Sequence, residues 1–103
     1  MELKMAKSKH DRVAESMANK ENTDYNRGQG ADVQSSRRAI EIETANTVGD
    51  AARQLAGYQK PVYVAGADAA TTKKALEHYK DTTIGVMNSQ GKIVKPSTRG
   101  RKK

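Results

Sequence analysis

Apolar and acidic residues alternate within residues 39–44, and this period of two is typical of a half-buried β-strand. The two isoleucines would face a core, whereas Glu41 and Glu43 would lie together on the opposite face. Carboxylates about 7 Å apart on a stiff strand repel each other unless a cation, a base or a proton lies between them. Asp32 comes shortly before this strand and would bring a third carboxylate to the same end of a hairpin. Three oxygen ligands in a basic chain predict a divalent metal directed at a phosphate.

The rest of the hydrophobic pattern predicts an α/β chain with a mixed sheet. Ser8, Thr47 and Asp68 are expected to cap the three helices, and Gly57 should end the second of them. The continuously apolar strand after Pro61 should be covered on both faces. A helix that links two strands favours a right-handed parallel crossover. In chain order, the predicted elements are a helix at 9–20, a ragged strand near Tyr25, strands at 32–36 and 37–44, a helix at 48–55, a strand at 62–66, a helix at 69–79, and strands at 83–87 and 92–95.

The length and composition allow one small domain. The chain has 103 residues and contains no Phe, Trp or Cys, so its core must be small and a homodimer would supplement it. The lack of Cys excludes disulfides, thiolate metal sites and cysteine nucleophiles. No apolar run is long enough for a signal peptide or a membrane span, which predicts a cytoplasmic protein without a membrane partner. We expect a flexible leader at 1–8, one α/β domain at 9–95 and a disordered basic tail at 96–103.

The net charge of +7 points to a polyanionic partner. A tail of this charge can hold DNA or RNA through the phosphates without reading a base sequence. A solubilising tail that binds nothing is the alternative interpretation. The cationic residues after Gly91, where no acidic residue is present, are Lys92, Lys95, Arg99, Arg101, Lys102 and Lys103.

Over about residues 9–67, the chain resembles the PD-(D/E)XK nuclease superfamily, which has the restriction-endonuclease-like fold. Gly30-Ala31-Asp32-Val33 stands where that family has Pro-Asp followed by an apolar residue, and Glu41-Ile42-Glu43 stands where it has E-x-K. Gln54-Leu55-Ala56-Gly57-Tyr58 looks like the Q-x-x-x-Y motif of the RecB-like branch. The resemblance implies an α-β-β-β-α-β core with a mixed sheet, followed here by a C-terminal α-β-β elaboration.

The same resemblance implies a Mg²⁺- or Mn²⁺-dependent nucleic-acid phosphodiesterase. Asp32 and Glu41 would hold the metal, and Glu43 would orient or activate the attacking water. Gln54 and Tyr58 would position the substrate. Two departures stand out: Ala31 replaces the family's Pro, and Glu43 replaces the Lys that stabilises the attacking hydroxide, for which Lys60 is a candidate substitute. The residues expected to neutralise phosphates are Arg37, Arg38, Arg99, Arg101, Lys102 and Lys103.

Each of these site residues also has a purely structural interpretation. An Ile-Glu-Ile-Glu strand with a solvated acidic face needs no metal. Asp32 after a glycine-rich turn is commonly a turn or cap residue, and Tyr58 near a helix end commonly covers the edge of a core. His10 and His78 are far apart and share no ligand spacing, so neither is predicted to bind a metal.

Two other classes of function remain open. The chain would be a non-catalytic nucleic-acid-binding protein if the missing motif Lys leaves the carboxylates inactive. It would be a partner-dependent regulatory or assembly protein if the basic tail serves only to keep it in solution.

Overall fold

The computed structural model describes residues 8–26 and 30–99, which form an α/β fold with a five-stranded mixed sheet. The sheet has the order β1-β2-β3-β4-β5, in which β2, β3 and β4 are parallel and the two outer strands are antiparallel to their neighbours. The elements are α1 Lys9–Lys20, β1 Val33–Gln34, β2 Ala39–Glu43, a 3₁₀ turn Val48–Asp50 that continues as α2 Ala51–Gln54, β3 Val62–Gly66, α3 Ala69–His78, β4 Gly85–Met87 and β5 Ile93–Lys95.

The helix ends follow the capping chemistry of the sequence in most places. Ser8 Oγ accepts a hydrogen bond of 3.1 Å from the backbone N–H of Asp11, and Asp68 Oδ1 accepts one of 2.8 Å from the N–H of Thr71, so both predicted N-caps are confirmed. Thr47 occupies the predicted N-cap position, but its hydroxyl accepts from the N–H of Thr44 at 3.0 Å and forms no side-chain cap. The second helix is accordingly short and begins as a 3₁₀ turn.

The two faces of the sheet bury separate apolar clusters. On one face, α1 packs Val13, Ala14, Met17 and Ala18 against the isoleucines of β2. On the other face, α2, the 3₁₀ turn and α3 cover the alternate residues of β2 and β3. All five residues of β3 are buried, which confirms the prediction of a strand covered on both faces.

The same covering makes β2 more buried than its sequence predicts. Glu41 is only 8% exposed and Glu43 only 3% exposed, so the acidic face is not solvated. Alternation along the strand puts both on the face of Ala39, whose apolar cluster includes Val48 and Leu55 from the 3₁₀ turn and α2. The interpretation of a solvated acidic strand face is therefore wrong.

Two predicted segments differ in extent. Tyr25 forms a single antiparallel bridge with Val33, and no strand forms around it in the described part of the chain. At the other end, Ser97 Oγ accepts from the N–H of Val62 at 3.2 Å and donates to the carbonyl of Thr83 at 2.9 Å, and the N–H of Thr98 bonds the same carbonyl. Residues 97–99 therefore pack on the sheet, and the predicted disordered tail is wrong for them. The predicted leader 1–7 and the last four positions, 100–103, lie outside the described residues.

In the described ranges, no helix is both long and apolar enough to cross a membrane. The exposed large hydrophobic side chains of the described residues are Ile93 and Val94 on β5, so the apolar surface available for contacts is small.

A glycine at the end of β3 sets the approach of α3 to the sheet, next to Glu43 of β2. A Cβ on Gly66 would lie 2.5 Å from the backbone nitrogen of Thr72, a contact that backbone atoms cannot relieve without a shift of the helix. We expect G66A to lower the free energy of unfolding by on the order of 1–3 kcal/mol. In G49A, the added methyl would meet only ring atoms of His78 at ordinary distances of 3.7 and 3.8 Å, so this control should be nearly neutral. Urea denaturation of both variants measures the difference, and equal stabilities would contradict the tight helix–sheet contact.

Candidate functional site

The β1–β2 hairpin brings Asp32 beside Glu41. Val33 pairs with Ile40 in the antiparallel register. Asp32, just before β1, therefore lies opposite Glu41 of β2. The backbone N–H of Asp32 donates to Glu41 Oε1 at 3.1 Å, and Asp32 Oδ2 accepts from the N–H of Ile42 at 3.0 Å. These reciprocal bonds hold the two carboxyl groups at a defined place on the hairpin, as the sequence predicted.

A histidine from α1 completes this cluster. His10 Nε2 lies 3.1 Å from Asp32 Oδ2, and its Nδ1 lies 3.2 Å from the hydroxyl of Tyr25. That hydroxyl donates to Asp11 Oδ1 at 2.8 Å. The hydrogen bond with Asp32 and the nearby negative charges raise the pKa of His10 to about 9, against the opposing effect of burial. At neutral pH, His10 is thus a half-buried cation in contact with the acidic cluster.

Burial raises the pKa of both glutamates of β2. Burial, followed by the charges of Asp32 and Glu43, raises the pKa of Glu41 to about 9, so Glu41 is neutral at pH 7. Burial also raises the pKa of Glu43, but hydrogen bonds from Thr47 and from Glu41 oppose that rise. Glu41 therefore carries the proton and donates to Glu43, which is the arrangement expected when two buried carboxyl groups cannot both ionise.

The donor set has the chemistry of a site for a hard cation. Carboxylate oxygens are the ligands that Mg²⁺ and Mn²⁺ prefer, and a divalent ion would replace the proton on Glu41 and remove the repulsion that raises its pKa. Residues 8–26 and 30–99 contain no group of three or more His, Asp or Glu side chains already arranged around an ion position. One oxygen of each carboxyl group, Asp32 Oδ2 and Glu41 Oε1, instead accepts a hydrogen bond from a backbone N–H, so an ion would compete with these bonds or bind the second oxygen of each group.

No protein-family model matches this chain, and no curated protein or solved structure is significantly similar to it. The geometry of the cluster is therefore what any assignment of function must rest on.

The other predicted site residues lie at different distances from the carboxylates. The hydroxyl of Tyr58 accepts from the N–H of Ala31 at 3.2 Å, so Tyr58 supports the backbone that leads into Asp32. Gln54 is the last residue of α2, and in the part of the chain that the structure describes no hydrogen bond joins it to the carboxylates. Lys60 does not replace the missing lysine, because its Nζ donates to the carbonyl of Ser35 at 2.6 Å, in the turn at the opposite end of β2.

The predicted phosphate-neutralising residues divide into three groups. Arg37 and Arg38 lie 3.7 and 3.5 Å from Glu21 Oε1. Arg99 Nη1 donates to the carbonyls of Leu55 at 2.7 Å and Tyr58 at 3.3 Å, so it is fixed to the end of α2 rather than free in a tail. The remaining three, Arg101, Lys102 and Lys103, lie outside the described residues.

His10 is the site residue that sequence reasoning missed. His10 and His78 share no ligand spacing in the sequence, and the residue that His10 contacts in the structure, Asp32, is 22 positions away. One signal was available. His10 lies on α1 three residues before Val13 and four before Ala14, so it continues the apolar stripe into the first turn of the helix, on the face that covers β2.

Proposed function

We propose that this protein is a metal-dependent nucleic-acid phosphodiesterase. The observation that carries the proposal is the buried cluster of Asp32, Glu41 and Glu43, in which Glu41 must keep a proton at neutral pH. Protein carboxyl groups are rarely buried together unless a function requires them. Asp32 and Glu41 would hold Mg²⁺ or Mn²⁺, which would supply charge stabilisation at the phosphate. Glu43 would orient or deprotonate the attacking water.

The order of elements supports a divergent PD-(D/E)XK protein. Along the chain come α1, the bridge at Tyr25, β1, β2, α2 and the parallel strand β3, which is the order of helix, meander, helix and parallel strand in that family. If the bridge at Tyr25 counts as the first meander strand, β1 is the second and β2 is the third. Asp32 then stands at the start of the second strand, and Glu41 and Glu43 stand on the third. The first meander strand is reduced here to one bridge.

His10 supports the chemistry at the position where the family's lysine is missing. Glu43 replaces that lysine, and within the described residues the imidazolium of His10 is a cation that bonds Asp32 and lowers the pKa of Glu43 through its charge. In this arrangement, His10 would hold Asp32 in place and offset part of the negative charge of the cluster.

The metal site can be tested without knowing the substrate. We expect Mn²⁺, titrated into the isotope-labelled protein, to broaden amide signals selectively around Asp32, Glu41 and Glu43. E41Q keeps an acceptor for the N–H of Asp32 and a donor for Glu43, so it should fold and lose the selective broadening. E77Q removes an exposed glutamate on α3 and should behave as the wild type. Broadening that is diffuse, or equally selective in E41Q, would show that the carboxylates do not bind the ion.

One observation favours a second function, which is nucleic-acid binding without catalysis. Among the described residues, no lysine or arginine forms an ion pair with Asp32, Glu41 or Glu43. A protein of that kind should bind nucleic acid in EDTA with an affinity that falls steeply with salt, and it should show no metal-dependent turnover.

A further inference from the structure

The end of the sheet opposite to the carboxylates carries a row of cations. The parallel strands β2 and β3 begin there, and the antiparallel strand β5 ends there, because Ala39 pairs with Val62 and Val86 pairs with Lys95. Cationic residues stand next to each of these strand ends or fold back onto the adjoining loop. We call this set the basic edge, and its members are Arg37, Arg38, Lys60, Lys95 and Arg99.

The charges of the basic edge are oriented by the fold but largely uncompensated. Lys95 Nζ donates to the carbonyls of Thr82 at 3.0 Å and Ile84 at 2.5 Å. Lys60 and Arg99 likewise bond backbone carbonyls, as described above, and such acceptors fix a cation without cancelling its charge. Within residues 8–26 and 30–99, no carboxylate lies within 4.0 Å of the side-chain nitrogens of Lys60, Lys95 or Arg99.

Few acidic groups face this row. Glu21 is shared between Arg37 and Arg38, and its side chain is only 9% exposed. Asp81 lies in the exposed loop that leads from α3 to β4, at the same end of the sheet. The basic edge therefore keeps a net positive charge of about +3, since five cations stand against these two carboxylates.

We propose that the basic edge binds the phosphodiester backbone of a nucleic acid and does so without a metal ion. This inference rests on the proposed function for the kind of polymer but does not use the carboxylates of the proposed metal site, and it adds Lys60 and Lys95 to the arginines that the sequence predicts to neutralise phosphates. Neighbouring strands lie about 4.8 Å apart, so the cations at the ends of β2, β3 and β5 are spread in a line across this end of the sheet rather than gathered in a patch. A line of charges matches the linear array of phosphates in nucleic acid better than a flat anionic membrane.

The basic edge would hold the polymer, and the carboxylate cluster at the other end of the sheet would receive one of its phosphates. Four residues separate Ala39 from Glu43 along β2, which is about 13 Å at the usual rise of a strand. The carboxylates repel phosphates in the absence of a cation, so the polymer is held first at the opposite end of the sheet. A nucleic acid anchored there can lie along the hairpin and present a phosphate to Asp32 and Glu41.

A matched pair of Gln→Glu variants tests this inference while leaving the oriented cations in place. Gln59 is exposed beside Lys60 at the basic edge, and Gln90 is exposed in the β4–β5 turn at the opposite end of β4. Both changes alter the net charge equally. Binding of a fluorescent single-stranded oligothymidine is measured by anisotropy in EDTA over a series of salt concentrations. At about 50 mM salt, we expect Q59E to weaken binding by on the order of 3–10-fold and to reduce the slope of log K against log salt by about 0.7, with at most about a twofold effect for Q90E.

The outcomes separate this inference from the proposed enzyme. Equal weakening in Q59E and Q90E, or no binding of wild-type protein in EDTA at low salt, would overturn it. Binding to phosphatidylserine vesicles with the same sensitivity to Q59E, but not to the oligonucleotide, would also overturn it in favour of a membrane. Binding in EDTA that is weakened by Q59E and kept in E41Q supports the basic edge even if the Mn²⁺ titration disproves the metal site.

Discussion

Metal-free wild-type protein should lose stability as the pH rises from about 5 to about 8, and E41Q should lose much less. Glu41 has a pKa of about 9 in the folded protein and a reference value of 4.5, so between these values the folded state holds a proton that the unfolded state has lost. Each pH unit in that window lowers the stability by up to about 1.4 kcal/mol, and we expect a total loss on the order of 2–4 kcal/mol by pH 8. A glutamine cannot ionise, so E41Q should be the more stable protein at neutral pH. Urea denaturation in EDTA at several pH values measures both effects.

The window between pH 4.5 and 6.5 isolates Glu41 from His10. The pKa of His10 is about 9 in the folded protein and 6.5 as a reference, so its stabilising contribution is complete below pH 6.5 and is lost as the pH rises towards 9. E41Q should therefore keep a decline above pH 6.5 and show a smaller decline than wild type below it, where only the raised pKa of Glu43 still acts. E77Q is the matched control, because the side chain of Glu77 is 78% exposed and should leave the pH dependence unchanged. A wild-type profile that rises from pH 4.5 to 6.5 would contradict a neutral Glu41.

The pairing of β2 with β1 could be predicted from the sequence, but the burial of its acidic face could not. Alternation shows which residues share a face, and that is why Asp32, Glu41 and Glu43 were expected together. Whether the acidic face meets solvent depends on what packs against it, and α2 and the 3₁₀ turn are short elements without a clear apolar period. An amphipathic strand pattern therefore coexists here with two buried glutamates.

Contacts between segments that are distant in the sequence also could not be predicted. Tyr25 and His10 meet Asp32 and Asp11 only because α1 lies across the hairpin, and no local pattern records that crossing. The basic residues after β5 read as a disordered tail because charge and proline signal disorder. In the structure, the side chain of Ser97 and the guanidinium of Arg99 find backbone partners on β3 and α2, and those hydrogen bonds order the segment.

Addition of Mg²⁺ should reverse the order of stability between wild type and E41Q at neutral pH. In EDTA, the proton on Glu41 is the least unfavourable way to bury it beside Asp32 and Glu43. A bound cation removes that need, and at a concentration of about 100 times its dissociation constant it adds about 2.7 kcal/mol to the free energy of unfolding. E41Q and D32N each lack one expected ligand and should gain little. Thermal and urea denaturation with and without Mg²⁺, at matched ionic strength, measure the gain.

Proton release distinguishes this site from weak ion binding elsewhere on the protein. If Mg²⁺ replaces the proton of Glu41, wild-type protein should release about one proton per ion bound near pH 7. Calorimetric titrations in two buffers with different ionisation enthalpies measure that number. E77Q should release the proton as wild type does, and E41Q should release none, because its amide carries no acidic proton. An equal gain in stability from Mg²⁺ in wild type and E41Q, without proton release, would show that the ion binds elsewhere and that Glu41 and Glu43 are a structural pair with a shared proton.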